Sequence, residues 1–432
     1  MLSRLHTRDV GPASEMTLEL GSRLNLLTGD NGLGKSFVLD VVWWVLTGSW
    51  ASAAALPSGG KPRIEYEERG GGKVVAEFSF ANQRWGWSSV KGRAPRGSVL
   101  YLGVDRLSAF VLDRNRFPES IGQLDVDSHA EPTHFSFTGR DLWDGMSDAS
   151  GRPICNGIVR DWVNWMRSRS AGEARPAGIP APFDLLEQVL AVLSPGPDER
   201  FVPGPPRRVT VADSREIPTL RTPWERDPVP ITLVSAGIKR VLELAYALVW
   251  AWFEHVQIAE LLHQPRQREL LILVDEPETH LHPRWQRTIL PALVEVAKVL
   301  DPSLNVQLFV TTHSPVVLAS IETIVEPERD RLFHFDGRGA DVHVDALDWV
   351  KQGDAVGWLS SAVFEVEGGG RSLEATRTIR WADAFMLGHL DEIPLHLRDR
   401  RSLEAELRRV LGGDDEYWTY WYEPEPKGDV AQ

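Results

Sequence analysis

Leu24-Asn25-Leu26-Leu27-Thr28-Gly29-Asp30-Asn31-Gly32-Leu33-Gly34-Lys35-Ser36 is the stretch on which the reading of this sequence turns. Residues 17–27 alternate and then become continuously apolar, which predicts a strand entering a core. Gly29–Ser36 fits Gly-x4-Gly-Lys-Ser, and Phe37–Leu46 reads as an apolar helix stopped at Gly48. Strand, glycine loop and helix in this order let backbone N–H groups and a helix N-terminus face phosphate oxygens. In such a loop Gly29, Asn31, Gly32 and Gly34 shape the cradle. Lys35 reaches the β- and γ-phosphates, and the Ser36 hydroxyl suits a Mg²⁺ ion.

Three further elements lie far downstream. Leu270-Leu-Ile-Leu-Val274 is a continuous apolar run ending in Asp275-Glu276, as expected of a strand buried on both faces of a parallel sheet. Carboxylates at such a strand end can hold Mg²⁺ (Asp275) and activate an attacking water (Glu276). Val306–Val310 reads as a second such strand and runs into Thr311-Thr312-His313-Ser314-Pro315. Ser235 and Gly237 open an amphipathic helix over 231–253, a second anion-binding helix end, although both are also ordinary residues at a helix start.

The composition narrows the class. At 432 residues with an ordinary apolar fraction, the chain can bury a sizeable core and hold two or three domains. No apolar run approaches a membrane span, and the N-terminus lacks a secretion-signal pattern, so a cytoplasmic protein is expected. The single cysteine, Cys155, excludes an internal disulfide and a cysteine zinc ribbon and reads as a small buried residue. A net charge of −14 argues against a surface coated for nucleic acid. The 17 tryptophans, several in pairs such as Trp43 and Trp44 or Trp85 and Trp87, read first as core anchors rather than a base-stacking platform.

Between these elements, Ile64-Glu-Tyr-Glu and Val74–Phe80 flank Arg69-Gly-Gly-Gly-Lys73 and predict a hairpin, and Ser98–Leu102 predicts a strand returning to the sheet. Residues 104–230 read as a helical or irregular insertion. Twelve prolines lie between Pro176 and Pro230, and 161–166 and 183–193 read as short helix candidates. No heptad is sustained, so no coiled-coil arm is expected. From about 321 the chain reads as helical and charged, with Arg-Ser-Leu-Glu-Ala at 371–375 and 401–405 as two helix starts.

In this order the four elements resemble the ABC ATPases, and more closely the branch containing RecF, the SMC proteins and OLD-type defence ATPases. Leu270–Pro283, with Asp-Glu-Pro-Glu-x-His-Leu-His-Pro, is the most diagnostic segment. The likeness covers residues 1–50 and 231–320. It implies an α/β P-loop head, a mixed sheet with an antiparallel β subdomain and a helical lobe. The expected division is 1–103 and 231–320 for the head, 104–230 for the insertion and 321–432 for a mainly helical C-terminal extension. It makes Glu276 the general base, His313 the switch that senses the γ-phosphate, and Ser235 and Gly237 the signature loop, with Ala236 in place of the usual glycine. ATP and Mg²⁺ are the implied ligands. A signature loop completes the ATP site of another head, so one copy of each motif implies a homodimer. The glutamine lobe of the family falls on Gln83, or failing that on Gln123. His280 and His282 are also readable as a metal pair with His313, but they belong to the family's Leu-His-Pro pattern.

The resemblance points to a standalone ATPase of antiphage defence, like those of Septu-like systems, regulating a separately encoded effector such as a nuclease. Asp341 and Asp345 are too scattered for a nuclease centre in this chain. The alternative is a RecF-like DNA-repair ATPase. Its support is Lys91–Arg96 together with Arg160, Arg167, Arg169, Arg175, Arg207 and Arg208, which more often read as solvated charge.

Overall fold

The computed structural model describes residues 1–87, 98–104, 106–110, 135–171, 180–261, 263–338 and 341–422. Gln123, Arg175 and the Lys91–Arg96 cluster lie outside them. The chain opens with β1 (Leu2–Arg8) and β2 (Glu15–Glu19), followed by β3 (Leu24–Gly29) and α1 (Lys35–Thr47). A meander, β4 (Arg63–Glu68), β5 (Lys73–Ser79) and β6 (Arg84–Trp87), precedes β7 (Ser98–Leu102), β8 (Arg106–Phe110) and β9 (Phe135–Thr138). Then come α2 (Gly139–Asp144), the short pair β10 (Met146–Ser147) and β11 (Pro153–Cys155), α3 (Ile158–Ala171) and α4 (Pro182–Leu193). Next are β12 (Val202–Arg208), β13 (Glu216–Arg221), β14 (Val229–Pro230) and the long α5 (Ala236–Leu261). The run β15 (Glu269–Asp275), α6 (Pro283–Leu300), β16 (Asn305–Thr311), α7 (Pro315–Ile321), β17 (Asp330–Arg338) and β18 (Asp341–Leu347) completes the first unit, Met1–Lys351. The second unit, Gln352–Gln432, holds α8 (Ala355–Ser360), α9 (Leu373–Met386), α10 (Arg400–Val410) and α11 (Tyr417–Tyr422).

The first unit is an α/β fold on an eight-stranded mixed sheet, ordered β18-β17-β3-β16-β15-β7-β8-β9. The five central strands, β17, β3, β16, β15 and β7, are parallel, and the edge pairings β17–β18, β7–β8 and β8–β9 are antiparallel. β3, β16 and β15 are neighbours in register, with Thr311 beside both Leu27 and Asp275. That order sets the ends of the phosphate-loop strand, the histidine strand and the acidic strand side by side. The carboxyl edge of a parallel sheet is where open α/β folds gather their ligand-binding loops.

A second, antiparallel sheet, β2-β1-β4-β5-β6, covers α1. The helix is apolar on every side because it lies between two sheets. Val38, Val41, Val42 and Trp43 are buried with Leu5 and Ile64 of the small sheet and with Leu271, Leu273 and Phe309 of the large one. Trp44 stacks on Trp50 and Trp87, at 4.9 and 4.3 Å between ring centroids, so these tryptophans are packing anchors. Cys155 is buried with its sulfur 3.0 Å from the Tyr246 hydroxyl, and burial pushes its thiol up to about 11.

Three expectations need correction. Residues 17–27 are not one strand: the chain turns at Leu20–Arg23, so β2 joins the small sheet and β3 the large one. The insertion at 104–230 contains α3 and α4 as expected, but also β8 and β9 of the main sheet and the three-stranded sheet β12-β13-β14. The helical stretch does not begin at 321. β17 and β18 occupy 330–347, and β17 is tied to β3 by Arg23, which pairs with Asp330 at 2.5 Å and with Glu326 at 2.6 Å. Helices α9 and α10 do begin around the two Arg-Ser-Leu-Glu-Ala segments, with Ser372 and Asp399 as their N-caps. Around α9 and α10 the second unit has its own core, including Ala382, Leu403, Leu407 and Trp421. Among the described residues no helix is long and apolar enough to cross a membrane.

Candidate active site

The phosphate loop leaves β3 at Gly29 and enters α1 at Lys35. Gly34 makes that entry possible: its φ is +98°, and a Cβ there would lie 2.2 Å from Cγ of Pro12. Lys35 is buried, and its ammonium donates to the carbonyl oxygens of Gly29 at 2.9 Å and Asp30 at 2.6 Å. Burial pulls its pKa down to about 8, against the opposing charges of Glu276, Asp30 and Asp275. A cation desolvated to this degree, its ammonium hydrogen-bonded to carbonyl oxygens, is suited to an incoming anion. Asn31, Gly32 and Ser36 are exposed on the same loop.

Asp275 ends β15 next to Thr311 of β16. Its Oδ1 accepts from the Ser36 hydroxyl at 2.9 Å and from the Thr311 hydroxyl at 2.5 Å. Glu276 follows in the left-handed region, φ +47°, with its N–H on the Thr311 hydroxyl at 3.0 Å. That sparsely populated backbone turns its side chain to His313, whose Nε2 lies 2.8 Å from Glu276 Oε1. The other ring nitrogen, Nδ1, is 3.1 Å from the Gly29 carbonyl oxygen. A carbonyl only accepts, so Nδ1 carries a hydrogen.

Lys35, Ser36, Asp275, Glu276 and His313 thus meet at one end of the sheet. Ser235 does not join them in this chain. It is exposed at the start of α5, where its hydroxyl accepts from Ile238 N–H at 3.4 Å. Gly237 is buried, with room for no side chain: a Cβ would lie 3.0 Å from the His280 carbonyl and 3.1 Å from the Trp285 ring. Gln83 sits in the β5–β6 turn at φ +52°, its amide donating to the Phe80 carbonyl at 2.7 Å. His282 caps α6 by accepting from Arg284 N–H, and His280 is exposed. Asp341 and Asp345 lie on β18. The described arginines of the basic clusters are largely spent inside the chain. Arg167 pairs with Glu216, Arg169 with Asp184 and Glu187, and Arg207 and Arg208 donate to backbone carbonyls, while Arg160 is exposed.

Four polar residues of the site carry no role in the sequence reading. Thr311 bridges Asp275 to the Glu276 backbone. Glu278 and Thr312 fasten the turn that carries His313, and Gln286 accepts from Ser314 at 2.8 Å. The signal available was the second glutamate of Asp-Glu-Pro-Glu, which no spacing argument connects to residues more than thirty positions away.

Residues 167–319 match the family described as "AAA domain, putative AbiEii toxin, Type IV TA system". That span holds Ser235, Gly237, Asp275, Glu276 and His313 but not the phosphate loop. Among curated proteins, "Retron Ec83 probable ATPase" of Escherichia coli is 43% identical over 53 residues, 12% of this chain and 9% of that protein. "Retron Vc95 probable ATPase" of Vibrio cholerae serotype O1 biovar El Tor is 38% identical over 60 residues, 14% of this chain and 10% of that protein. The matches therefore span about a tenth of the length of these relatives. Two solved structures align over 80% of this chain and 98% of their own. One is an SMC head bound to the C-winged helix domain of ScpA, at 17% identity and TM-score 0.43. The other is the recombination mediator protein RecF, at 12% identity and TM-score 0.36. The central part of the chain carries the likeness of an AAA-type ATPase domain.

Proposed function

We propose that this chain binds ATP with Mg²⁺ and hydrolyses it, and that two copies close on the nucleotides. The observation that carries the reading is the meeting of Lys35, Ser36, Asp275, Glu276 and His313, from three neighbouring strand ends, around one buried cation. Lys35 and the loop N–H groups grip the phosphates. Ser36 and Asp275 present two hard oxygen donors that share a hydrogen bond, a donor set that fits Mg²⁺. Mg²⁺ bound there would neutralise phosphate charge. Glu276 takes the proton of the attacking water once His313 has turned to the γ-phosphate. Ser235, exposed immediately before a 26-residue helix, serves the nucleotide of the other copy. Gln83 is the weakest member of the assignment, since its amide is already occupied.

The retron ATPases and the toxin–antitoxin family description support a place in prokaryotic defence, where the ATP state of the dimer controls a separately encoded effector, a nuclease in the simplest arrangement. For the DNA reading, Arg167 and Arg169 are already paired with carboxylates of the chain itself and offer a phosphate backbone little. The test is ATP turnover by the purified chain alongside its Lys35→Ala variant. Hydrolysis that survives in the variant at the wild-type rate would refute the site.

A further inference from the structure

We propose that Glu278 is a positioning residue of this site: its carboxylate holds the Thr312–Ser314 turn and so sets the place of the His313 ring. Glu278 Oε1 accepts from two donors of that turn, the Thr312 hydroxyl at 2.6 Å and the His313 N–H at 3.0 Å. The Thr312 hydroxyl in turn accepts from Ser314 N–H at 3.0 Å, so one oxygen organises three consecutive residues. The turn has no other side chain bound to the His313 backbone among the hydrogen bonds of the described residues. The ring it carries reaches both the Gly29 carbonyl and Glu276, contacts that a displacement of about 1 Å would break.

The second oxygen of Glu278, Oε2, is buried and has no hydrogen-bond partner among the described residues. Burial raises the pKa of the carboxyl group, against the pull of Thr312 and the backbone N–H donors. Keeping a carboxylate there is unfavourable unless the two bonds on Oε1 are needed. Glu278 touches neither the phosphate loop nor the reacting atoms. It acts through His313.

The inference rests on Glu276 and His313 serving ATP hydrolysis, and its test separates the two claims. Glutamine keeps an acceptor at Oε1, whereas alanine removes it. Glu278→Ala is expected to lower kcat about tenfold or more with the KM for ATP nearly unchanged, and Glu278→Gln to restore turnover to within about threefold of wild type. Thr312→Val, which keeps shape and loses the hydroxyl, should reproduce part of the loss if the alanine variant does not fold. A nucleotide-free readout accompanies these. The His313 ring N–H held on the Gly29 carbonyl should give an exchange-protected imidazole resonance, assigned by its loss in His313→Gln. It should persist in Glu278→Gln and vanish in Glu278→Ala. Persistence in the alanine variant, or equal losses in both variants, overturns the positioning role. A wild-type chain that hydrolyses no ATP overturns the ATPase reading instead, and the resonance then decides Glu278 alone.

Discussion

His313 Nε2 and Glu276 Oε1 lie 2.8 Å apart, so the two side chains assigned to the base and the γ-phosphate switch in the proposed reaction are in direct contact. Glu276→Gln keeps a partner of the same shape but cannot take a proton. Turnover is expected to fall by about 10²–10⁴, the usual range for a general base, while ATP affinity stays near wild type because Lys35 and the loop are intact. Phosphate release and equilibrium ATP binding measured on the same preparation check this. Wild-type turnover in the variant would remove Glu276 from the chemistry.

In the proposed site Lys35 should make nucleotide binding pH-dependent. Its pKa is lowered by burial from the ordinary 10.5 to about 8. Between about pH 8 and 10.5 the unfolded chain binds more protons than the nucleotide-free fold, so stability rises through that window and the full burial penalty is present below it. Phosphate favours the charged amine, so ATP binding at pH 9 should take up most of one proton, and at pH 6.5 almost none. Calorimetry in two buffers of different ionisation enthalpy reads this directly. Equal proton uptake at both pH values would contradict the assignment.

Gly34 and Gly32 have similar backbones and different surroundings, with φ +98° and +79°. A Cβ at Gly34 would strike Pro12 at 2.2 Å, whereas one at Gly32 meets nothing within 4 Å. Gly34→Ala should therefore cost about 2–4 kcal/mol, combining backbone strain with overpacking, and abolish ATP binding. Gly32→Ala should cost only about 1 kcal/mol, the price of the left-handed backbone alone. Thermal melts of the two variants give the order, and the opposite order would mean that Pro12 yields freely.

The site was legible where its chemistry is local. The glycine loop, the acidic pair after five apolar residues and the histidine after a buried strand each lie within one segment, and the parallel pairing of β3, β16 and β15 brings them together. What sequence patterns hid depends on distant partners. The turn at Leu20–Arg23 is fixed by Asn25, whose side chain bonds both the N–H and the carbonyl of Gly21, so the apolar alternation running through it looked like one strand. β17 carries charges such as Asp330 that look solvent-facing until Arg23, 307 positions away, is seen to pair with it. Glu278 gains meaning only when the Thr312 turn is folded against it. Ser235, among the described residues, has its own cap bond to Ile238 N–H as its side-chain hydrogen bond.

That last feature supports the most discriminating experiment on the proposed dimer. Ser235→Arg alters an exposed residue whose cap bond is long, so it should cost about 1 kcal/mol or less in stability. It leaves the chain's own Lys35, Asp275 and Glu276 untouched, yet it should abolish ATP-dependent dimerisation and turnover by blocking the phosphate site of the other copy. Lys35→Ala should also be inactive, for want of its own phosphate grip. Mixed in equal amounts, the two variants form mixed dimers in which one site carries both defects and the other carries neither. Neither variant pairs with itself on ATP and each mixed dimer has one sound site of two, so up to about half of wild-type turnover should return on mixing. If Ser235 served the ATP of its own chain, every site would keep a defect and mixing would restore nothing. Sedimentation with ATP and with ADP shows whether the recovered activity travels with the dimer.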